Sequence, residues 1–179
     1  MTSRSRRRAF AAVSLAVLCV VPVAITVYLA RSFTPSPSLL GHTMPRLSAR
    51  RLDGQLFVQD TTVEKKRVVV FFAPGCSHCR NELKNIDELF PKYKESIDLL
   101  GVSLDNSRST QAMAAELQLK FPIVVADNEH LDDGYKVTIL PAIFCFNEHR
   151  VLKKFYSGEH TLAMDERLLE EFISFSNAR

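Results

Sequence analysis

A continuous apolar segment followed at once by two closely spaced cysteines constrains the fold of this chain more than any other feature. Val68–Phe72 is a run of β-branched and aromatic residues, which is typical of a strand buried on both faces. Pro74 and Gly75 then predict a turn, and a helix is expected to begin near Cys76. This order predicts an α/β domain, with a central sheet and helices on both of its faces.

The following sequence alternates between strand and helix patterns. Apolar side chains recur at helical spacing after the cysteines, and Pro91 is expected to bend or end that helix. Asp53-Gly54 is a hairpin turn signal. Further strands are predicted at Ile97–Leu104, Ile123–Ala126, Pro141–Phe146 and Val151–Tyr156, and further helices at Ser109–Gln118 and Leu162–Ser174.

The N-terminal part has the composition of a membrane anchor. Residues 9–30 form an uncharged, mostly apolar run of 22 residues, and roughly 20 suffice to cross a bilayer as a helix. Residues 1–8 hold four arginines and no acid, so they are expected to stay in the cytoplasm. The chain then divides into a basic tip (1–8), a transmembrane signal anchor (9–30), a linker (31–40) and an extracytoplasmic domain (41–179).

Two other interpretations of the N-terminal segment stay open. It could be a signal peptide that is cleaved, although Tyr28-Leu29-Ala30 is a poor cleavage site. Arg7-Arg8-Ala9-Phe10 is also similar to a short twin-arginine export signal.

The charge of the chain argues against a nucleic-acid partner. Five of the 23 basic residues lie within residues 1–31, where there is no acid, so 18 basic and 20 acidic residues remain in the other 148. That part has no basic block, whereas a nucleic-acid-binding domain needs a basic surface.

The spacing of Cys76 and Cys79 indicates thiol–disulfide chemistry. A helix start stabilises negative charge, and the thiolate is the form that attacks disulfides. Cys76 is therefore expected to be the nucleophile. Cys79 lies one helical turn later and is expected to resolve the mixed disulfide. Cys19 and Cys145 lie in apolar runs and are interpreted as structural.

His78, between the two cysteines, is a further candidate active-site residue. A protonated imidazole would stabilise a thiolate at Cys76 and make the disulfide a stronger oxidant. The alternative is an exposed histidine without effect. A zinc site is the rival interpretation of the cysteine pair, but zinc usually takes four ligands. No second pair is suitably spaced, so neither a metal nor another cofactor is expected.

At these residues the chain resembles the thioredoxin superfamily, and in particular its membrane-anchored TlpA and ResA type, with the MauD type close by. The resemblance extends from about Gly41 to the C-terminus, and it implies a thioredoxin-like fold with a central mixed sheet and helices on both faces. Its marks are Gly41 and Pro45, Leu52-Asp53-Gly54, Cys76–Glu82, Val102–Asp105, Tyr135-Lys136-Val137, Leu140-Pro141 and Gly158. Gly75, Lys84 and the Ser77-His78 pair depart from the pattern of that type.

The resemblance implies roles for three more residues. Pro141 should be preceded by a cis peptide bond beside the cysteines, so that the backbone of Leu140 can pair with an extended substrate. Glu82 should be a buried acid that moves protons to and from Cys79. The alternatives are a plain strand-start proline and an ordinary solvated glutamate.

The resemblance also implies a function. It favours a reductase that acts on protein disulfides in a maturation pathway such as cytochrome c assembly and is recharged by a membrane electron carrier. His78 favours a disulfide oxidant or isomerase instead. A peroxiredoxin would need a hydroxyl side chain where Ala73 stands. A copper-delivery protein on the same fold would need a well-placed histidine, such as His130 or His149.

Overall fold

The computed structural model describes residues 39–59, 65–127 and 134–175. The predicted membrane segment 9–30 lies outside these ranges, and no helix within them is long and apolar enough to cross a membrane. The described residues form six strands and three helices. They are β1 (Ala49–Arg51), β2 (Lys66–Phe72), α1 (Ser77–Tyr93), β3 (Ile97–Ser103), α2 (Ser107–Leu117), β4 (Ile123–Ala126), β5 (Ala142–Phe146), β6 (Leu152–Ser157) and α3 (Leu162–Ser174).

The strands form one mixed sheet in the order β1-β4-β3-β2-β5-β6. The central strand β2 pairs in parallel with β3 and antiparallel with β5. β4 is parallel to β3, whereas β1 and β6 are antiparallel edge strands. The predicted Asp53-Gly54 turn is also present, because Arg51 N–H donates to the Gln55 carbonyl at 2.8 Å.

Strand β2 is buried on both faces, as its composition predicts. Its side chains alternate between two apolar clusters. Val68, Val70 and Phe72 belong to the first cluster, and Val69 and Phe71 belong to the second. The strand therefore forms the centre of the core, and the turn after it has a rigid base.

The three helices all pack on the first cluster. Leu83 of α1, Met113 of α2 and Phe172 of α3 are buried there. In the described part of the chain, the other face is covered by segments outside the three helices, which contribute Met44, Leu47 and Tyr135. The expectation of helices on both faces is thus met on one face only within the described ranges, and residues 128–133 lie outside them.

Helix α1 begins directly after the first cysteine. Cys76 has an extended backbone and acts as the N-cap, since its sulfur accepts the N–H of Cys79 at 3.2 Å. Pro91 lies inside the helix, which continues to Tyr93. The helix therefore does not end at this proline, as one form of the expectation had it, but two residues after it.

Candidate active site

Three chain segments meet at one end of the sheet's strands, beyond the last residue of β2. The first carries Cys76 into α1. The second leads into β5, because Ala142 pairs with Phe71 at the end of β2. The third leaves β6, because Ser157 pairs with Ala142. The topology thus brings residues 76–82, 139–141 and 158–161 to the same place.

Cys76 and Cys79 are joined by a disulfide, with their α-carbons 5.2 Å apart. Cys76 is half-buried, whereas Cys79 has no exposed surface. The first turn of α1 contains no acidic residue, so its free N–H groups favour negative charge at Cys76. An incoming sulfur can therefore reach Cys76, and Cys79 lies behind it.

His78 is exposed and forms an ion pair with Glu159 from the third loop. Its Nδ1 lies 2.5 Å from Glu159 Oε2, and Asn81 Nδ2 donates to Glu159 Oε1 at 2.9 Å. The hydrogen bond from His78, followed by that from Asn81, lowers the pKa of Glu159. A negative charge is thus held beside the histidine of the Cys-x-x-Cys segment.

Glu82 is fully buried, which excludes the interpretation as a solvated glutamate. Its Oε2 accepts the backbone N–H of His160 at 2.7 Å, and its Oε1 lies 3.1 Å from His160 Nδ1. The same ring nitrogen lies 3.3 Å from Asp165 Oδ1. Asn85 Nδ2 donates to Asp165 Oδ2 at 3.3 Å and to the His160 carbonyl at 3.0 Å.

The Glu82, His160 and Asp165 side chains form a buried cluster. Burial, and next the charge of Glu82, raises the pKa of Asp165 to about 7. One ligand atom of each residue lies within 4.8 Å of the others, which is the spacing of a small metal site. The hydrogen bonds and ion pairs above bring the three side chains together.

The Leu140-Pro141 peptide bond is cis, which confirms the geometry that the resemblance implies. The Pro141 carbonyl accepts the N–H of Gly158 at 2.8 Å and so ties the second loop to the third. Leu140 is half-buried against the apolar cluster that Cys76 also contacts. An open depression of about 540 Å³ lies here, lined by His78, Ile139, Leu140, Gly158, Glu159, His160 and Thr161.

Sequence reasoning missed Glu159, His160 and Asp165. The first two lie between Gly158, whose φ of +87° allows a sharp turn, and Thr161, the N-cap of α3. A glycine followed by two polar residues and then an N-cap residue is a pattern that predicts a short loop before a helix. Asp165 lies four residues before the buried Leu169, so its position on the apolar face of α3 was a usable signal.

Known proteins resemble this chain in sequence and in fold. The model of the AhpC/TSA family matches residues 40–155. The thiol-disulfide oxidoreductase ResA of Halalkalibacterium halodurans is 27% identical over 164 residues, which cover 89% of this chain and 90% of that protein.

Two solved structures share the fold. An uncharacterised thioredoxin-like protein from Porphyromonas gingivalis has a TM-score of 0.60 at 21% identity, covering 73% of this chain and 91% of that one. StoA from Bacillus subtilis has a TM-score of 0.58 at 21% identity, covering 73% of this chain and 98% of that one. Because the family model spans well over half of the sequence, the chain belongs to the AhpC/TSA family, as a thioredoxin-like thiol–disulfide oxidoreductase with Cys76 and Cys79 as its cysteine pair.

Proposed function

We propose that the chain exchanges its dithiol and disulfide with protein partners outside the cytoplasm, and that it acts mainly as a reductase. The main support is the unequal exposure of the two cysteines. The Cys76 thiolate attacks a sulfur of the partner's disulfide, and the other partner sulfur leaves as a thiolate. Cys79 then attacks Cys76, which forms the intramolecular disulfide and releases the reduced partner.

The His78–Glu159 ion pair favours the reductase direction. A free imidazolium next to Cys76 would stabilise the thiolate and make the disulfide an oxidant. Glu159 lies 2.5 Å from that ring and offsets its charge. The site therefore combines a histidine of the cysteine segment, which favours an oxidant, with a carboxylate from the third loop that weakens the effect of this histidine.

A disulfide oxidant or isomerase is the second candidate, because His78 is exposed and follows Cys76 by two residues. The reduction potential distinguishes the two directions, and it can be measured by equilibrating the purified chain with defined ratios of reduced and oxidised dithiothreitol or glutathione. We expect a value of about −250 mV or below, near that of thioredoxin. A value near about −120 mV would identify an oxidant instead.

The position of His149 argues against this residue as a copper ligand in the copper-delivery alternative. His149 lies in the turn between β5 and β6, next to Phe146, which pairs with Arg67 at the start of β2. Cys76 follows the other end of that strand. His149 and the cysteines therefore lie at opposite ends of strand β2. His130 lies outside the described residues.

Residues 9–30 are proposed to anchor the domain in the cytoplasmic membrane, with residues 1–8 in the cytoplasm. The arginine asymmetry and the length of the apolar run support this topology. A C-terminal alkaline phosphatase fusion, which is active only after export, should be active and should stay with the membrane after carbonate extraction. An inactive fusion would contradict the orientation, and release into the supernatant would indicate cleavage.

The proposed partners are proteins with disulfides, in a maturation pathway such as cytochrome c assembly, and a membrane electron carrier that restores the dithiol. The support is the resemblance to the TlpA and ResA type. In the Cys79→Ser variant the resolving thiol is missing, so mixed disulfides with partners should accumulate and be identified by mass spectrometry. Cys76→Ser is the control and should trap none. Equal trapping by the two variants would refute the division of roles.

A further inference from the structure

Two carboxyl groups are buried side by side next to the cysteine helix. Glu82 has no exposed surface, and Asp165 is 3% exposed. Asp165 also lines a small, mostly apolar cavity of about 20 Å³. Two neighbouring carboxylates in such surroundings cannot both ionise readily, so the pair retains a proton that it can release.

His160 connects this pair to the surface. Its Nδ1 contacts Glu82 Oε1 at 3.1 Å and Asp165 Oδ1 at 3.3 Å. The same residue lines the open depression that His78 and Leu140 also border. His160 therefore contacts the buried carboxyl pair through Nδ1 and also belongs to the lining of the active-site depression, with its side chain 10% exposed.

Cys79 is the sulfur that needs such a connection. It is fully buried, as is Glu82 three residues later on the same face of α1. Residues three apart on a helix are neighbours. A buried thiolate is unfavourable, so Cys79 requires a proton each time its bond to Cys76 breaks.

We propose that His160 is a proton relay between solvent and the Glu82–Asp165 pair, and that this relay serves Cys79 during disulfide exchange. The inference rests on the exchange reaction proposed above and assigns roles to His160 and Asp165. His160 acts through Glu82, so it is a positioning and relay residue and does not touch the reacting sulfur.

The proton balance follows the two directions of exchange. When an incoming thiolate attacks Cys76, the disulfide breaks, the electron pair goes to the Cys79 sulfur, and Glu82 donates a proton to it. His160 then replaces that proton from solvent. In the other direction, the Cys79 thiol gives its proton to Glu82 as its sulfur attacks Cys76, and the partner sulfur leaves as a thiolate that water protonates.

Tyr156 and Cys145, which line the same small cavity as Asp165, do not supply this proton. Tyr156 of β6 has its ring 6.2 Å from the His160 ring, and burial raises its pKa. Burial also raises the pKa of Cys145 in β5 to about 12. Both stay protonated at neutral pH. Among the described residues, His160 also contacts Glu82 of α1 and Asp165 of α3, and the exposed pair of His78 and Glu159 lines the same depression.

The test is the rate at which dithiothreitol reduces the disulfide form of the full chain between pH 6 and pH 9. The chain has no tryptophan, so thiols are followed by rapid alkylation and mass spectrometry. We expect His160→Ala to react about tenfold or more slowly, since general acid–base groups contribute roughly 10²–10⁴-fold and water can partly substitute. Added imidazole should restore the rate in proportion to its concentration.

His160→Gln is the second variant, and His149→Ala is the matched control. The glutamine amide can still donate to the carboxyl groups but cannot carry a proton, so this variant should also be slow. The control has lost an exposed histidine at the opposite end of strand β2 and should react at the wild-type rate.

The outcomes separate the relay from the proposed exchange function. If the wild-type chain does not exchange, the proposed function fails. If it exchanges and His160→Ala matches it, the relay is wrong. Slow reaction of His160→Ala without rescue by imidazole would mean that His160 only maintains structure, which also overturns the relay. If His160→Ala does not fold, His160→Gln alone decides, and a wild-type rate refutes the relay.

Discussion

At the scale of single residues, the charge near Cys76 depends on a contact between the start of helix α1 and the loop after β6. Glu159 accepts hydrogen bonds from His78 and Asn81, and it belongs to a different part of the chain from the cysteines. The cysteine segment alone does not determine its own electrostatic surroundings. The sequence between two cysteines is therefore a poor guide to reduction potential when a neighbouring loop brings in a charge.

Glu159→Gln should make the disulfide more oxidising. Removal of the carboxylate takes a negative charge away from the surroundings of Cys76, and a nearby negative charge disfavours the Cys76 thiolate. Since exposed ion pairs are weak, we expect the reduction potential to rise by only about 10–30 mV, up to tenfold in the equilibrium constant. High salt should diminish the rise.

The matched control is Glu166→Gln, which removes an equal charge from an ion pair with Lys92, far along α1 from the cysteines. This variant should keep the wild-type potential. An equal rise in both variants would show that net charge, and not the contact with His78, is responsible.

Asp165 should make the stability of the disulfide form depend on pH. Its pKa is about 7 in the folded protein and about 3.9 in an unfolded chain. Because the folded pKa is the higher one, the stabilisation from the proton is complete below about pH 4 and is lost as the pH rises through 7. The loss is at most about 4 kcal/mol, at ~1.4 kcal/mol per unit.

Asp165→Asn replaces the protonated carboxyl with an amide that can still donate a hydrogen bond. Urea denaturation at pH 5 to 8 should show a smaller decline in the free energy of unfolding than in the wild type. Asp127→Asn alters an exposed aspartate and should keep the wild-type decline. A decline in Asp165→Asn as large as in the wild type would contradict this account.

The residues of the site differ in how far the sequence predicts them. Cys76 and Cys79 follow from their spacing, and the cis bond at Pro141 follows from the family resemblance. His160 and Asp165 do not, because their importance comes from burial next to Glu82, about eighty residues earlier. A pattern within one segment cannot show which distant segment will pack against it.

At the scale of secondary structure elements, β3 packs tightly against the end of β2, which precedes the loop that carries Cys76. Gly101 of β3 is buried, and a β-carbon there would lie 3.0 Å from a ring carbon of Phe121 and 3.3 Å from one of Phe72. Phe72 is the last residue of β2 before the loop that carries Cys76. The absence of a side chain at position 101 therefore allows the end of β2 to pack tightly.

Gly101→Ala should destabilise the protein by about 1–3 kcal/mol, because overpacking moves neighbouring side chains. Urea denaturation measures the change. Gly75→Ala is the control, since a β-carbon at position 75 would meet nothing within 4 Å, and its free energy of unfolding should stay within about 0.5 kcal/mol of the wild type. Equal effects of the two substitutions would show that the packing argument is wrong.

The predicted elements match the observed ones in kind, and they differ at their ends. Helix α2 begins at Ser107 and not at Ser109, because Asn106 is the N-cap and accepts the N–H of Ser109. Polar residues stand at each of these positions, so composition does not show which one provides the cap. Helix ends depend on single hydrogen bonds, whereas the type of each element depends on many side chains.

At the scale of the whole molecule, both apolar clusters are built from described residues that follow the predicted linker, together with Leu39 of that linker. The first uses Val68–Ile173, and the second uses Leu39–Phe155. A fragment from Ser36 to Arg179 should therefore fold with one cooperative transition in urea, followed by circular dichroism.

A shorter fragment from Leu52 to Arg179 is the contrasting case. It lacks Met44, Leu47 and Ala49, which are buried in the second cluster. Burial of one large apolar side chain stabilises a protein by about 1.5–3 kcal/mol. The whole free energy of unfolding of a domain is only about 5–15 kcal/mol. We expect this fragment to lose most of its stability, and equal stability of both fragments would contradict the assigned core.

The order of the strands is the part of the fold that pattern reasoning cannot supply. β1 pairs with β4, whose residues come more than seventy positions later, and no local signal specifies that partner. The alternation of strand and helix nevertheless predicts the central parallel strands, since β2 and β3 are joined by a helix and lie side by side.

The loop from Gly158 to Thr161 restricts how this protein can diverge. Its two middle residues are consecutive, yet Glu159 reaches the outer side of helix α1 and His160 reaches its inner side. Insertion or deletion of one residue would displace both contacts together. Related proteins that retain both contacts should therefore have a loop of constant length, and their redox properties should diverge through replacement of the side chains at these two positions.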